Sequence, residues 1–302
     1  MRQINQKEDF PKNLVEFDRQ FRTEEACRLY LERVRWPGGF CCPGCHSSRA
    51  WQTKRGNFFC ADCQRQTSVT AGTIFDRTKQ PLELWFKTAW LVVSEKNGIS
   101  ALGLQRQLGL SRYETAWQML RRLRRAMVRP QRELLSGEVE VDETLIGGPT
   151  PGRRGRSPEG KAIIVIAAEK DGDKIGRIRM KTIPDAGAEA LELFIRENIK
   201  VGSVIETDGW RGYWGLPKLK YKHRRVDGKS VGSEEVMPRI NRVASLLKRW
   251  LLGTHHGRVD KVGLDSYLDE FAFRFNRRSS GHRGKLFGRL IEQSVQITPA
   301  YK

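Results

Sequence analysis

Apolar positions in the second half of this chain change period several times, and the changes outline a sheet flanked by helices. Val139 and Val141 alternate with Glu140 and Asp142, the period of a strand with one buried face. Ala162-Ile163-Ile164-Val165-Ile166-Ala167-Ala168 is an unbroken apolar run, as in a strand covered on both sides. Asp171-Gly172-Asp173 predicts a hairpin turn into a third strand over Ile175-Gly176-Arg177-Ile178-Arg179-Met180. The period then becomes helical. Leu191, Phe194, Ile195 and Ile199 share one face of a helix that Asp185 would cap and that runs to about Asn198. Gly202 admits a short strand, Val204-Ile205-Glu206-Thr207, closed by Asp208. After Pro238 an amphipathic helix covers Arg239 to Leu252.

Three antiparallel strands, a helix, a parallel strand and a helix predict an α/β fold of the ribonuclease-H-like kind, a mixed sheet in the order β-β-β-α-β-α. In that order the first and last strands lie side by side, so Asp142 and Asp208 meet at one edge of the sheet. Upstream the pattern is helical. A Trp-rich helix runs from Pro81 to about Asn97, and two helices follow around a break at Gly109-Leu110. Ser111 and Glu114 read as a capping box for the second of these, which carries Tyr113, Trp117, Leu120 and Leu123 on one face. Arg121, Arg122, Arg124 and Arg125 stand beside them, a helix-turn-helix pattern with a basic second helix. The predicted divisions are an N-terminal helical segment over 1–35, a metal-binding module over 36–75, a helical DNA-binding region over 76–130 and a catalytic domain over 135–302.

Cysteine spacing defines the module. Cys42-Pro43-Gly44-Cys45 and Cys60-Ala61-Asp62-Cys63 are two C-x-x-C turns with fourteen residues between them, the arrangement of a tetrahedral Zn²⁺ site. Hairpin strands over 49–53 and 57–59 make it a zinc ribbon, and with four protein ligands the zinc is structural. Cys41 and His46 are neighbouring alternatives, while Cys27 falls on a helical apolar face and reads as a core thiol.

Charge changes the picture next. Lys and Arg number 55 against 35 acidic residues, a formal net charge of +20 spread over the chain's 302 residues, which points to a nucleic-acid partner. No apolar run reaches the roughly 18–20 residues that span a bilayer, and the first residues lack a signal peptide's apolar core. The expectation is a soluble cytoplasmic protein, associated with the nucleoid and with no membrane partner. Two carboxylates at one sheet edge suit Mg²⁺ or Mn²⁺, hard ions that prefer oxygen. Asn241 and Lys248 lie two turns apart on one helix face, so an amide oxygen could complete the ion's shell and an ammonium could hold a phosphate. Glu234 and Glu235 are acidic alternatives. A glycine-rich basic loop over 147–156, the run Lys218 to Arg225 and the run Arg274 to Arg278 fit a DNA path.

Several stretches together resemble a known family. They are Ser68-Val69-Thr70-Ala71-Gly72-Thr73-Ile74-Phe75, Val139-Glu140-Val141-Asp142-Glu143-Thr144, Thr207-Asp208-Gly209-Trp210, Leu247 to His255 and Phe271 to Arg278. The chain is similar, from the ribbon to Phe287, to DDE-type transposases of bacterial insertion sequences that bear an N-terminal zinc ribbon. The resemblance implies that Asp142 and Asp208 are the first two acidic residues of the triad, that Asn241 stands at the third position in place of Glu, and that Lys248 is the basic residue following it. It implies two-metal hydrolysis and strand transfer on double-stranded DNA, at element terminal repeats and target, by a homodimer or higher assembly. A DNA-binding regulator with a silent catalytic fold and a metal-dependent nuclease without joining activity are the competing readings.

Overall fold

The computed structural model describes residues 10–129, 131–147, 161–226, 236–257 and 263–298. They belong to two compact units, one formed by Met1–Arg129 with Ser280–Lys302 and the other by Pro130–Ser279. The glycine-rich loop beyond Gly147, Glu234 and Glu235 lie outside the described residues. No described helix is long and apolar enough to cross a membrane.

The first unit opens with helices α1 (Leu14–Gln20) and α2 (Glu24–Arg35), capped by the side chains of Asn13 and Thr23. Strands β1 (Ala50–Gln52), β2 (Phe58–Cys60) and β3 (Gln66–Thr67) form an antiparallel sheet in that order. Arg35 then ties α2 to the segment after the ribbon, its guanidinium donating to Ser68 O, Val69 O and Ala71 O at 2.6–3.1 Å. Helix α3 (Leu82–Ser94) is buried nearly all round, and α4 (Ala101–Leu108) and α5 (Tyr113–Ala126) form the expected helix pair. Gly109, at φ +64°, ends α4 in the left-handed conformation that only glycine adopts without strain. The cap of α5 differs from expectation. Arg112 is its N-cap and makes no side-chain cap bond, whereas Ser100 caps α4 through Gly103 N.

In the second unit, β4 (Glu138–Ile146), β5 (Ala162–Asp171) and β6 (Lys174–Ile183) pair antiparallel, with Gly172, at φ +56°, in the tight turn between the last two. Helix α6 (Ala188–Asn198) leads to β7 (Val204–Thr207), parallel to β4. Its N-cap is Gly187 rather than Asp185, whose carboxylate instead accepts Gly187 N–H at 2.7 Å. Strand β8 (Lys222–Arg225) adds a parallel edge, giving the order β6-β5-β4-β7-β8. With its mixed sheet and α6 between β6 and β7, the unit is the expected ribonuclease-H-like α/β fold. The sequence reading missed β8 because Lys-His-Arg-Arg has no apolar alternation; charged residues are what an edge strand tolerates. Helices α7 (Pro238–His255) and α8 (Leu264–Phe275) follow.

Each sheet face carries a core. Val139, Val141, Val165, Ala167 and Ile205 pack with Leu191, Phe194 and Ile195 of α6, while Ile164, Ile166, Ile178 and Met180 pack with α7 and α8. The last helix, α9 (Arg283–Gln296), joins the first unit and not the second. The expected catalytic domain extended to residue 302. The difference has a clear cause: Phe287 sits among Phe17, Phe21, Tyr30, Phe86 and Trp90, with ring centroids 5.3–6.2 Å away. Cys27 is fully buried, and burial pushes its thiol up to about 12, as a core thiol requires.

Candidate active site

The site begins with strand register. Glu138 pairs with Val204, Val139 with Ile205 and Glu140 with Glu206. Carried two residues further, the same offset sets Asp208 opposite Asp142, at the end of β7 where the chain turns out through Gly209 (φ +87°). Asp142 is half-buried and holds Glu143 N–H through Oδ1 at 2.8 Å; Asp208 is exposed and holds Trp210 N–H through Oδ1 at 3.0 Å. Both carboxylates are thus oriented by the backbone beside them.

Glu143 joins this pair from the other face of β4. Burial and then the charge of Asp142 push its carboxyl up to about 8, Asp208 adding to the effect. The fully buried Tyr213 hydroxyl faces it and opposes that rise, yet neither Tyr213 Oη nor Glu143 Oε1 completes a well-formed hydrogen bond. Glu143 thus feels the charge of both Asp142 and Asp208 and carries an orphaned buried oxygen, so oxygen donors and negative charge gather at this point. That fits a divalent hard cation. The ligand atoms are not all within 4.8 Å of one another, as the cysteine cluster's are, so a single tightly packed three-carboxylate site is not what the geometry offers.

Glu140, two residues before Asp142, has a different task. It is buried, and its oxygens accept Arg239 N–H at 3.0 Å, Ile240 N–H at 3.1 Å and the Arg239 guanidinium at 3.0 Å. Helix α7 has no side-chain cap of its own, since Met237 precedes it at φ +54°. A strand carboxylate therefore caps the helix, satisfying orphan N–H groups and its positive dipole end. The next residue is Asn241, exposed on α7, with Nδ2 donating to Val236 O at 2.7 Å. Lys248 is exposed two turns on, in keeping with the shared face expected from sequence.

Four thiols form the second centre. Cys42 and Cys63 Sγ lie 3.5 Å apart, as do Cys45 and Cys60, and all four fall within 4.8 Å of one another. Zn–S bonds of about 2.3 Å in a tetrahedron put sulfurs roughly 3.8 Å apart, so these cysteines fit zinc. Cys41 points elsewhere, its Sγ donating to His46 O at 3.6 Å, and neither it nor His46 joins the cluster.

Residues 134–276 match a family described as the ISXO2-like transposase domain, and residues 22–66 match a transposase zinc-ribbon domain. Over 284 residues the chain is 26% identical to an uncharacterised protein in transposable element ISH50 of Halobacterium salinarum, covering 84% of this chain and 91% of that one. The chain belongs to the zinc-ribbon transposases of insertion sequences. A chain in the intasome of simian T-cell lymphotropic virus bound to the PP2A regulatory subunit B56 gamma also matches, at 12% identity and a TM-score of 0.31, over 56% of this chain and 67% of that one. A likeness that slight carries no weight for fold or function.

Several side chains of the transposase do something other than sequence suggests. Arg122 donates to Ile74 O and Asp76 O, Arg124 is buried, and Arg125 donates to Thr298 O at 3.3 Å. Much of the basic run on α5 therefore binds its own unit. Arg224, in the densest basic segment, pairs with Glu206 at 2.5 Å. His255 packs against Trp250 and Tyr267. Sequence reasoning also passed over Glu140, Glu143 and Tyr213. A buried acidic residue inside a strand whose neighbours are valines was the available signal.

Proposed function

We propose that this transposase binds the terminal repeats of its element and catalyses metal-dependent phosphodiester hydrolysis followed by strand transfer. The observation that carries the reading is the parallel register of β4 and β7, which runs Asp142 and Asp208 to one edge of the sheet within a transposase-family unit. Asp142 and Asp208 would hold Mg²⁺ or Mn²⁺, with Asn241 Oδ1 as third donor now that Nδ2 is engaged by Val236 O. Such ions, when bound, supply an activated water or 3′-OH and neutralise the leaving oxygen. The chain's own groups do the rest. Glu140 fixes the start of α7 against β4 and so sets where Asn241 stands. Lys248, on the same face, attracts the phosphate and balances its charge. No covalent protein nucleophile is required.

The ribbon and the α4–α5 pair are the candidates for reading the element's ends, and a homodimer or larger assembly on DNA would bring two sites to two ends, at the nucleoid. The test is a strand-transfer reaction with purified protein, Mg²⁺ or Mn²⁺, a labelled element end and a plasmid target. Joined product that disappears in Asp142→Ala supports the reading. Metal-dependent cutting without joining assigns a nuclease instead, and tight DNA binding with neither activity assigns a regulator.

A further inference from the structure

Two indoles beside Asp208 are unusually exposed for their size. Trp210 is 44% and Trp214 56% exposed, on the segment that leaves β7. Their polar atoms are already satisfied: Trp210 Nε1–H donates to Ala186 O at 2.9 Å and Trp214 Nε1–H to Gly209 O at 3.4 Å. Gly212 lets the first ring lie against the backbone, since a Cβ there would sit 2.9 Å from Trp210 Nε1, Ala186 O and Leu191 Cδ1. The rings are therefore held in place while ring surface faces water, an arrangement that favours a flat partner over further packing.

Cations complete the feature. The Arg211 guanidinium lies 5.5 Å from the Trp210 ring centroid, and the Arg225 guanidinium 5.1 Å from that of Trp214. Exposed Lys218, Lys220 and Lys222 lie on the same stretch of chain. With a guanidinium over one face of each ring, the exposed remainder of each indole matches a ligand with a π face and an adjacent phosphate. Bases in a duplex have their faces covered by neighbours, so the ligand must be unpaired. Trp210 N–H is bonded to Asp208, which places the platform next to the proposed cutting site.

We propose that Trp210 and Trp214, with Arg211 and Arg225, form a stacking site for an unpaired DNA base adjoining the scissile phosphate. This rests on the transposase reading above. The site would favour frayed or flipped ends over closed duplex, by stacking and not by base-edge hydrogen bonds, and so with little preference for sequence.

The test uses the full-length protein, a blunt duplex and the same duplex with a short unpaired fork containing 2-aminopurine, whose fluorescence falls on stacking. Wild type should bind the fork more tightly than the blunt duplex and quench the probe. Trp214→Ala should cut the fork-to-duplex affinity ratio about tenfold and restore fluorescence, and Trp214→Phe should keep most of the quenching. Arg225→Gln, with both rings intact, should weaken fork binding several-fold and guards against a folding defect in the alanine variant. An unchanged ratio and unchanged quenching in Trp214→Ala overturn the proposal. So does a Trp214→Ala variant whose oligomeric state changes on a sizing column while its ratio does not, which would make the patch a protein interface. Wild type that binds neither DNA overturns the transposase reading and the stacking site together; equal binding to both without quenching overturns only the site.

Discussion

Glu140 and Asp142 are two residues apart on one strand face, yet the first is locked into the fold and the second is held toward solvent chemistry. Replacing Glu140 by Gln leaves the Arg239 guanidinium, 17% exposed, without its anion. Breaking a buried pair in this way costs about 3–5 kcal/mol, so Glu140→Gln should lower the urea midpoint of the second unit. It should also depress strand transfer more than it depresses DNA binding, because α7 loses its anchor. Asp269 offers a pH-dependent contrast. Burial pushes its carboxyl up to about 6, Arg132 opposing and Asp265 adding to the shift. A carboxyl raised above its unfolded value near 3.9 favours the protonated folded state, so its stabilising effect is full at low pH and is lost as pH rises through about 6. Asp269→Asn should therefore be more stable than wild type at pH 8, by something of the order of 1–3 kcal/mol, and lose that advantage by pH 4. Paired denaturant melts at the two pH values check the sign.

At the scale of elements, α9 is the least expected feature. Its apolar face is legible in Leu286, Phe287, Leu290 and Ile291, but periodicity cannot say which core receives it, and chain order wrongly suggested the nearer one. Partners far along the chain decide: Phe287 fills an aromatic cluster built by α1, α2 and α3, and Gly288 lies so close to Phe10 that a Cβ would stand 2.1 Å from its ring. Phe287→Ala should cost about 3–5 kcal/mol in the first unit and little in the second, as hydrogen exchange resolved by unit would report. The ribbon lies at the opposite extreme of legibility, because two C-x-x-C turns specify both ligands and hairpin. Its core is small, chiefly Trp36, Phe40 and Phe58, so the ion should carry much of its stability. Chelation should release one zinc per chain and abolish amide protection across β1–β3 while the second unit keeps its melting transition. The helix pair α4–α5 was readable in outline, whereas the inward roles of Arg122 and Arg124 were not, since they depend on carbonyls and cores that sequence spacing does not encode.

For the whole molecule, strand period and order were enough to expect the sheet and its parallel pairing of first and fourth strands, which carries the segments bearing Asp142 and Asp208 to the same edge. Glu143 and Tyr213 escaped because they come from opposite sides of a chain reversal and meet only in three dimensions. Net charge was legible as a total but not as a distribution, and that difference has a measurable consequence. If all 55 Lys and Arg contacted DNA phosphates, counterion release would give a log–log slope of affinity against salt near −50, at about 0.9 per phosphate contact. Yet Arg177 pairs with Glu169, Arg224 with Glu206, Arg239 with Glu140 and Lys181 with Glu197, and Arg35 and Arg122 bind backbone carbonyls. Cations held this way are engaged by the protein's own carboxylates and carbonyls and release no counterions from DNA. The slope for a duplex element end should accordingly lie between about −5 and −9, the range of 6–10 phosphate contacts. Lys248→Ala, which removes a cation exposed on α7, should make it shallower by roughly one, whereas Lys181→Ala should leave it unchanged. Titrations by fluorescence anisotropy between about 50 and 200 mM salt measure all three slopes, and a wild-type value far steeper than about −9 would mean that the internal ion pairs open when DNA binds.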